Sequence, residues 1–315
     1  MRAALIDELG RPPRPAELPD PEGEGALVEM LAASLNPLDL AVGSGRFYGG
    51  HPALPFVPGC EGVGRIRGGD GALVYVFGDG LGLSRNGAVA ELARSGSVEP
   101  IPVPDGADPA VAAALGIAGL AGWLPLAWRA PVRRGETVLV LGASGTAGLV
   151  AVQAARLLGA GRVVAAGRDG ARLERAREAG ADATVSLEGD DLSGRLKDAC
   201  GGEGPSYVFD PLWGEPLVAA LQAAAPGARI VNLGQAAGAE ASIASATVRG
   251  KQLELLGHSN FAVPRQELGE QYGRLVAHAV AGELSVDVEH VGLDRVEDAW
   301  RRQSEGSGAK LVVVL

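Results

Sequence analysis

The sequence predicts an α/β chain of two domains, one a doubly wound parallel sheet and the other a β-rich lobe of short strands. Three observations carry this expectation. A length of 315 residues exceeds most single cores. From residue 136, apolar runs of strand length alternate with helical segments, the pattern of a parallel sheet with helical crossovers. Before about residue 105, proline and glycine punctuate short strands and no strong helix period appears.

Taken in order, RPPRPAELPDPEGEG, GSGRFYGGHPALPFVPG and GGDG mark closely spaced turns in the first lobe. From Asp108 the register changes, and DPAVAAALGIAGLAGWLPLAWRA reads as helix with Asp108 as N-cap and Pro109 at the first helical position. Strand ETVLVLG (136–142) leads to helix GTAGLVAVQAARLLG (145–159), strand RVVAAG (162–167) and helix ARLERAREAG (171–180). Strand ATVSL (183–187), a polar helix to Cys200, strand SYVFD (206–210), a helix after Trp213 and strand ARIVNLG (228–234) follow. Segment KQLELLG (251–257) reads as the last strand of this sheet, and a helix over Arg265–Gly282, a strand, a helix and the strand AKLVVVL close the chain. Continuous apolar strands of this kind are buried on both faces.

Composition narrows the function. A 47% hydrophobic share against 21% charged excludes wholesale disorder. The net charge of −10 repels nucleic-acid phosphates and anionic membrane, so neither is an expected partner. Two cysteines, Cys60 and Cys200, allow one bridge at most, and a reducing compartment is the simpler reading. MRAALIDELG has no apolar run of signal-peptide length. The apolar stretch around Val111–Leu126 is Gly/Ala-rich and broken by Pro125, with Asp108 and Arg129 close by, which makes a poor transmembrane helix. A soluble, cytoplasmic protein is expected.

The chemistry starts at Gly142-Ala143-Ser144-Gly145-Thr146-Ala147-Gly148, where a strand feeds a helix. Ala143 departs from the strict G-x-G-x-x-G fingerprint. Gly145 lets backbone N–H groups approach a pyrophosphate, Gly148 lets the helix lie close to the strand, and the helix N-terminus supplies partial positive charge. A glycine trio alone also suits a plain structural turn, but inside a full β-α-β-α series it reads as a Rossmann dinucleotide turn, with Ser144, Gly145, Thr146, Ala147 and Gly148 as expected cofactor residues. The next strand ends in Gly167 and Arg168, where an acid usually grips the ribose 2′-OH of NAD, and Arg172 follows one turn later. Space and a cation suit the 2′-phosphate of NADP(H). The plainer alternative is a pair of solvated arginines beside Asp169 and Glu174.

Several segments together resemble the medium-chain dehydrogenase/reductase superfamily, in its zinc-independent quinone oxidoreductase and enoyl reductase branch. They are Ser34-Leu35-Asn36-Pro37-Leu38-Asp39, Pro55-Phe56-Val57-Pro58-Gly59-Cys60-Glu61-Gly62-Val63-Gly64, Gly87-Ala88-Val89-Ala90-Glu91, Asp210-Pro211 with Gly214, and Gly308-Ala309-Lys310-Leu311. The resemblance spans nearly the whole chain. It implies a GroES-like catalytic domain over 1–118 and 259–315, a Rossmann domain over 119–258, and a homodimer. It also implies an active site at the C-terminal ends of the parallel strands. Asn36 then lies beside the nicotinamide as a catalytic and cofactor residue, and Asp210, Leu233 and Gly234 join the cofactor set.

Catalytic zinc needs three ligands from Cys, His and carboxylate. Here Cys60 stands where the zinc-bearing relatives have a histidine, and the Asn36–Asp39 segment has no cysteine. Cys60 with Glu61 remains a conceivable pair, while a buried thiol is the plainer reading. No metal is expected. Tyr48 fits a pocket-lining catalytic position by its distance to Gly59, whereas Phe47 fits by its distance to Gly45. Ala121 replaces a threonine common near the cofactor in relatives, and Asn36 with Asp39 also reads as a turn before a short helix. The expected activity is NADPH-dependent reduction of a small quinone or activated enone. A zinc-free alcohol or aldehyde oxidoreductase, or a noncatalytic NADPH-binding protein, stands as an alternative.

Overall fold

Strand residues alternate between two separate cores, the signature of a sheet covered on both faces. Val138, Val140, Val163, Ala165, Tyr207 and Phe209 pack on one side with Ala151 and Ala155. Leu139, Leu141, Val164, Ala166, Val208 and Ile230 pack on the other with Leu196 and Leu217. Each Val or Leu side chain so buried contributes roughly 1.5–3 kcal/mol. The computed structural model describes residues 1–168, 170–306 and 308–315. These form two units, Gly119–Pro264 and Met1–Ala118 with Arg265–Leu315. Residues 259–264, expected with the β-rich lobe, thus group with the parallel-sheet unit.

The parallel-sheet unit has six strands: β1 (Thr137–Leu141), β2 (Arg162–Gly167), β3 (Ala183–Ser186), β4 (Tyr207–Asp210), β5 (Arg229–Asn232) and β6 (Glu254–Gly257). Their order is β3-β2-β1-β4-β5-β6, and every pairing is parallel. The order reverses between β1 and β4, and ligands on such sheets bind beyond the carboxyl ends of the strands at that reversal. Helix α1 (Thr146–Leu157) crosses from β1 towards β2. A Cβ on Gly122 would meet Val150 at 2.8 Å, so glycine there lets the 120–124 helix lie against α1. At the other end of the sheet Arg229 pairs with Glu136, both nearly buried, and stacks over the Tyr207 ring. The segment 251–257 is strand only from Glu254, because helix Ser245–Lys251 runs into it and closes at Gln252 in a left-handed conformation.

The other unit carries a seven-stranded sheet, antiparallel except where Val288–Gly292 lies parallel to Lys310–Val314. Its core takes Val296, Ala299 and Trp300 from helix Val296–Glu305. A helix of seven residues, Pro37–Gly43, interrupts the strands where no helix period was legible. It is too short for one, and is set by Asn36 as N-cap, Pro37 at the first position and the Asp39 carboxylate accepting from Asn36 N at 2.7 Å.

The helix expected from Asp108 does begin there, with the Asp108 carboxylate accepting from Ala110 N at 2.9 Å and Val111 N at 3.0 Å. It does not run unbroken. Gly116 has ψ −115, and π-type turns follow at Leu115–Gly119 and Pro125–Arg129. The break has a tertiary cause: the buried Glu61 carboxylate takes the Ile117 N–H, and a Cβ on Gly116 would meet Glu61 Oε2 and the Tyr75 hydroxyl, the latter at 2.8 Å. Pro109–Arg129 is long and apolar enough to cross a membrane by length and composition alone, but 72% of its most apolar window is buried in protein.

Candidate active site

At the sheet reversal, Gly142 follows β1 with φ +64, a conformation open to glycine. Ala143 N then donates to Ala166 O at 3.0 Å, tying the turn to β2, and Gly145 N donates to Gly142 O at 3.2 Å. Gly145 is the N-cap of α1, and no side chain caps this terminus among the described residues. Its outer face is open, for a Cβ there would find only Gly142 O, 3.7 Å away. Gly148 is the opposite case: its Cβ would strike the Gly142 carbonyl oxygen and lie 2.6 Å from Ala143 Cα. One glycine keeps a concavity open and the other keeps the helix on the strand. First-turn N–H groups that no described side chain caps, together with the helix dipole and an open concavity, are what a pyrophosphate needs. These residues fit a dinucleotide.

Ser144, Thr146 and Ala147 sit in this turn, half-buried. Gly167, at the end of β2, is buried, and a Cβ on it would be 3.1 Å from Leu173 Cδ2 and 3.3 Å from the Ser144 hydroxyl. Arg168 follows, exposed, and Arg172 lies half-buried in helix Gly170–Glu178. Asp169, the carboxylate that could compete for the ribose, lies outside the described residues.

Asp210, Leu233 and Gly234 stand at the carboxyl ends of β4 and β5, on the same edge of the sheet. The Asp210 carboxylate is buried and occupied. Oδ1 accepts from Leu212 N and Trp213 N, both at 2.9 Å, and Oδ2 from Asn232 Nδ2 at 2.8 Å. Burial raises its pKa while these donors pull it down. Asn232 also reaches Gly234 O at 2.8 Å, and Leu233 N reaches Asp210 O at 2.9 Å. Asp210 therefore shapes the loop ends at this edge. Asn232, its partner, was invisible to motif reading because it sits in an ordinary strand end.

Asn36 and Tyr48 belong to the other unit. Tyr48 is 94% exposed, its ring tilted over Phe47 at 4.6 Å, while Phe47 packs onto the core. Asn36 is 1% exposed and sits in a buried polar cluster. Its Nδ2 donates to Glu61 Oε1 at 2.7 Å and more weakly to Ser34 O at 3.3 Å and Ser34 Oγ at 3.4 Å. The Lys310 ammonium donates to Asn36 Oδ1 and, at 2.8 Å, to Leu35 O. Glu61 further accepts from the Ser34 hydroxyl, from Ile117 N and from the Tyr75 hydroxyl at 2.8 Å. Burial pushes the Glu61 carboxyl up against the pull of Lys310, and pushes the Lys310 ammonium down. Lys310 and Tyr75 were missed as polar partners because each lies inside an apolar strand. Their signal was the lone polar group in AKLVVVL and in LVYVF.

Cys60 and Cys200 are free and buried. Burial pushes the Cys60 thiol well above the ordinary range, with Asp39 adding to it, so it is no ready nucleophile. Asp39 is itself engaged, by Asn36 N and by Cys60 N at 2.9 Å. No group of three or more His, Cys, Asp and Glu side chains stands ready for a metal among the described residues.

The sheet order and the open glycine turn at its reversal define a dinucleotide-binding α/β fold. The sequence model of the zinc-binding dehydrogenase family matches residues 147–277. Quinone oxidoreductase-like protein 2 of Rattus norvegicus is 30% identical over 273 residues, 83% of this chain and 78% of that protein. A mycobacterial quinone oxidoreductase superimposes with TM-score 0.89 at 25% identity, covering both chains entirely. The quinone oxidoreductase of Thermus thermophilus, also solved in complex with NADPH, gives TM-score 0.81 at 29% identity, again over both whole chains. The chain belongs to the medium-chain dehydrogenase/reductase superfamily, in its quinone oxidoreductase-like branch, and is an oxidoreductase with that family's Rossmann and GroES-like domains.

Proposed function

We propose that the protein is a zinc-independent, NADPH-dependent oxidoreductase acting on quinones or activated enones. The open turn at Gly145 is the observation that carries this reading, because among the described residues no side chain caps its first-turn N–H groups at the sheet reversal. Thr146 and Ala147 hold the pyrophosphate by backbone N–H groups, Gly145 keeps the concavity open for it, and Gly148 fixes the helix that presents them. Gly167 leaves room beside the Ser144 hydroxyl, and Arg168, exposed just beyond, meets a 2′-phosphate with Arg172 in support. Leu233 and Gly234, held by Asp210 and Asn232, line the same edge. The family resemblance makes Asn36 the residue that serves the nicotinamide. When bound, NADPH supplies a hydride from C4 of its nicotinamide to an electrophilic carbon of the acceptor.

Zinc independence is supported by the donor set. Two cysteines cannot build a four-thiolate site, Cys60 replaces the ligating histidine of zinc-bearing relatives, and Asp39 is committed to backbone N–H groups. NADPH in the Thermus relative supports the cofactor choice. The test is NADPH oxidation by chelator-treated protein across quinones, enones and simple aldehydes. Turnover confined to quinones or enones is the expected result. Turnover confined to aldehydes, or activity that returns only with zinc, contradicts the proposal, and NADPH binding with no turnover marks a noncatalytic protein.

A further inference from the structure

Strand β6 closes the parallel sheet on the side away from β2, and His258 is the first residue past its carboxyl end. The His258 N–H donates to Asn232 O at 2.8 Å, which ties it to the end of β5, where Asn232 holds Asp210 and Gly234. Its ring is half-buried and edge-on to Trp128, with centroids 6.3 Å apart. Arg129, next to Trp128 in the Pro125–Arg129 turn, donates to Gly257 O at 2.9 Å. All of these residues belong to the parallel-sheet unit.

The tautomer of the ring follows from its partner. His258 Nε2 lies 3.0 Å from Asn260 Oδ1, an oxygen that only accepts, so Nε2 carries the hydrogen and Nδ1 of the neutral ring is an acceptor. Among the described residues nothing donates to Nδ1, and the single buried side-chain nitrogen or oxygen without a partner is Arg229 Nε, so Nδ1 opens to solvent. Protonation would turn this acceptor into a donor. Burial holds the ring's pKa below the ordinary 6.5, and the Arg129 charge adds to that against the pull of Asn260. Trp128, Asn232 and Asn260, its other neighbours, bring no charge. At neutral pH His258 is an open acceptor at the carboxyl edge of the sheet.

In a doubly wound sheet the two nucleotides of the cofactor lie on opposite halves. With the adenosine 2′-phosphate at Arg168, past the end of β2, the β4–β6 half is left for the nicotinamide nucleoside. That nucleoside offers N–H donors on its carboxamide and O–H donors on its ribose. We infer that His258 is a further cofactor-binding residue, its Nδ1 accepting a hydrogen bond from the nicotinamide nucleoside. The inference rests on the proposed dinucleotide site.

The chain has four histidines, so 15N-histidine labelling gives four rings, and the signal lost in His258→Phe assigns the one of interest. NADPH should shift the His258 Nδ1 resonance and move the ring's titration down by roughly 0.5–1 in pH, because the cofactor binds only the neutral form. In His258→Phe, which keeps an aromatic ring against Trp128, NADPH Kd, read by nicotinamide fluorescence, rises roughly threefold to tenfold at pH 7.5. Towards pH 5.5 wild type and His258→Phe converge: both share the titration of the 2′-phosphate, at about pH 6, and only the wild type has an acceptor to lose. The 3-acetylpyridine analogue of NADPH has no carboxamide N–H and tells the two donors apart. A His258→Phe penalty that vanishes with it assigns the carboxamide, and one that persists assigns the ribose. If His258→Phe does not fold, His258→Gln, whose acceptor no proton blocks, assigns the signal and lacks the extra loss in acid. A His258 resonance and titration that NADPH leaves unchanged, or a His258→Phe Kd equal to wild type at pH 7.5, overturns the inference alone. Wild-type protein that binds no NADPH overturns the dinucleotide site, and the role of His258 with it.

Discussion

Gly145→Ala separates binding from folding. Gly145 has φ −95 and ψ 165, which alanine adopts without strain, and the new methyl finds only one atom, 3.7 Å away. Reduced freedom of the unfolded chain stabilises by about 0.4–1 kcal/mol, and a poorer N-cap costs about as much. Net stability should move by less than about 1 kcal/mol, a Tm shift under about 4 °C. Binding is different, because a methyl carbon holds a neighbour at about 3.5–4 Å, whereas a phosphate oxygen on an N–H sits at about 2.7–2.9 Å. The phosphate must withdraw, and each hydrogen bond to a charged group so lost is worth about 1.5–3 kcal/mol. NADPH Kd, read by fluorescence titration, should rise by about tenfold to a hundredfold or more with the melting curve nearly unchanged. A Kd within about twofold of wild type, a difference under ~0.5 kcal/mol, refutes the assignment of this turn. Gly148→Ala is the control: its methyl meets backbone at Gly142 and Ala143, so both binding and stability should fall, the latter by about 1–3 kcal/mol.

Arg168→Ala should raise KM for NADPH by about tenfold to a hundredfold and leave NADH kinetics unaltered; equal use of both cofactors by the wild type would contradict the 2′-phosphate role. Cys200, pushed up to about 12 by burial, and Cys60, buried with it, should both resist a thiol reagent at mildly alkaline pH until denaturant exposes the two thiols; rapid labelling of the native protein would show that a thiol is accessible. Strand β6 is an unpaired edge with Leu255 38% exposed, so sedimentation should find a homodimer, and a lone 31.9 kDa species at micromolar concentration would sink that expectation.

The parallel sheet was legible because each buried strand is a continuous apolar run, and periodicity needs nothing but local sequence. The glycine turn was legible for a related reason: Gly142 answers a positive φ and Gly148 a close backbone approach, while Gly145 keeps the outer face open. The break at Gly116 was not, since its cause is Glu61, a residue 55 positions earlier whose reach depends on tertiary placement. The same holds for Lys310 on Asn36. Local reading gave Asn36 two roles, a turn before a short helix and a site residue, and the structure shows it at the N-cap of that helix, within a hydrogen-bond network no spacing rule encodes. Tyr48 stays at the surface because Phe47, its neighbour, takes the core contact.

Hydride delivery from NADPH to carbon without a metal is tested most directly with NADPH carrying deuterium at both C4 positions, an enone acceptor and chelator-treated enzyme, the product being analysed by mass spectrometry. One deuterium retained on the former alkene carbon is the predicted result. A reduced product free of deuterium, or label transfer that appears only after zinc is added, would contradict it.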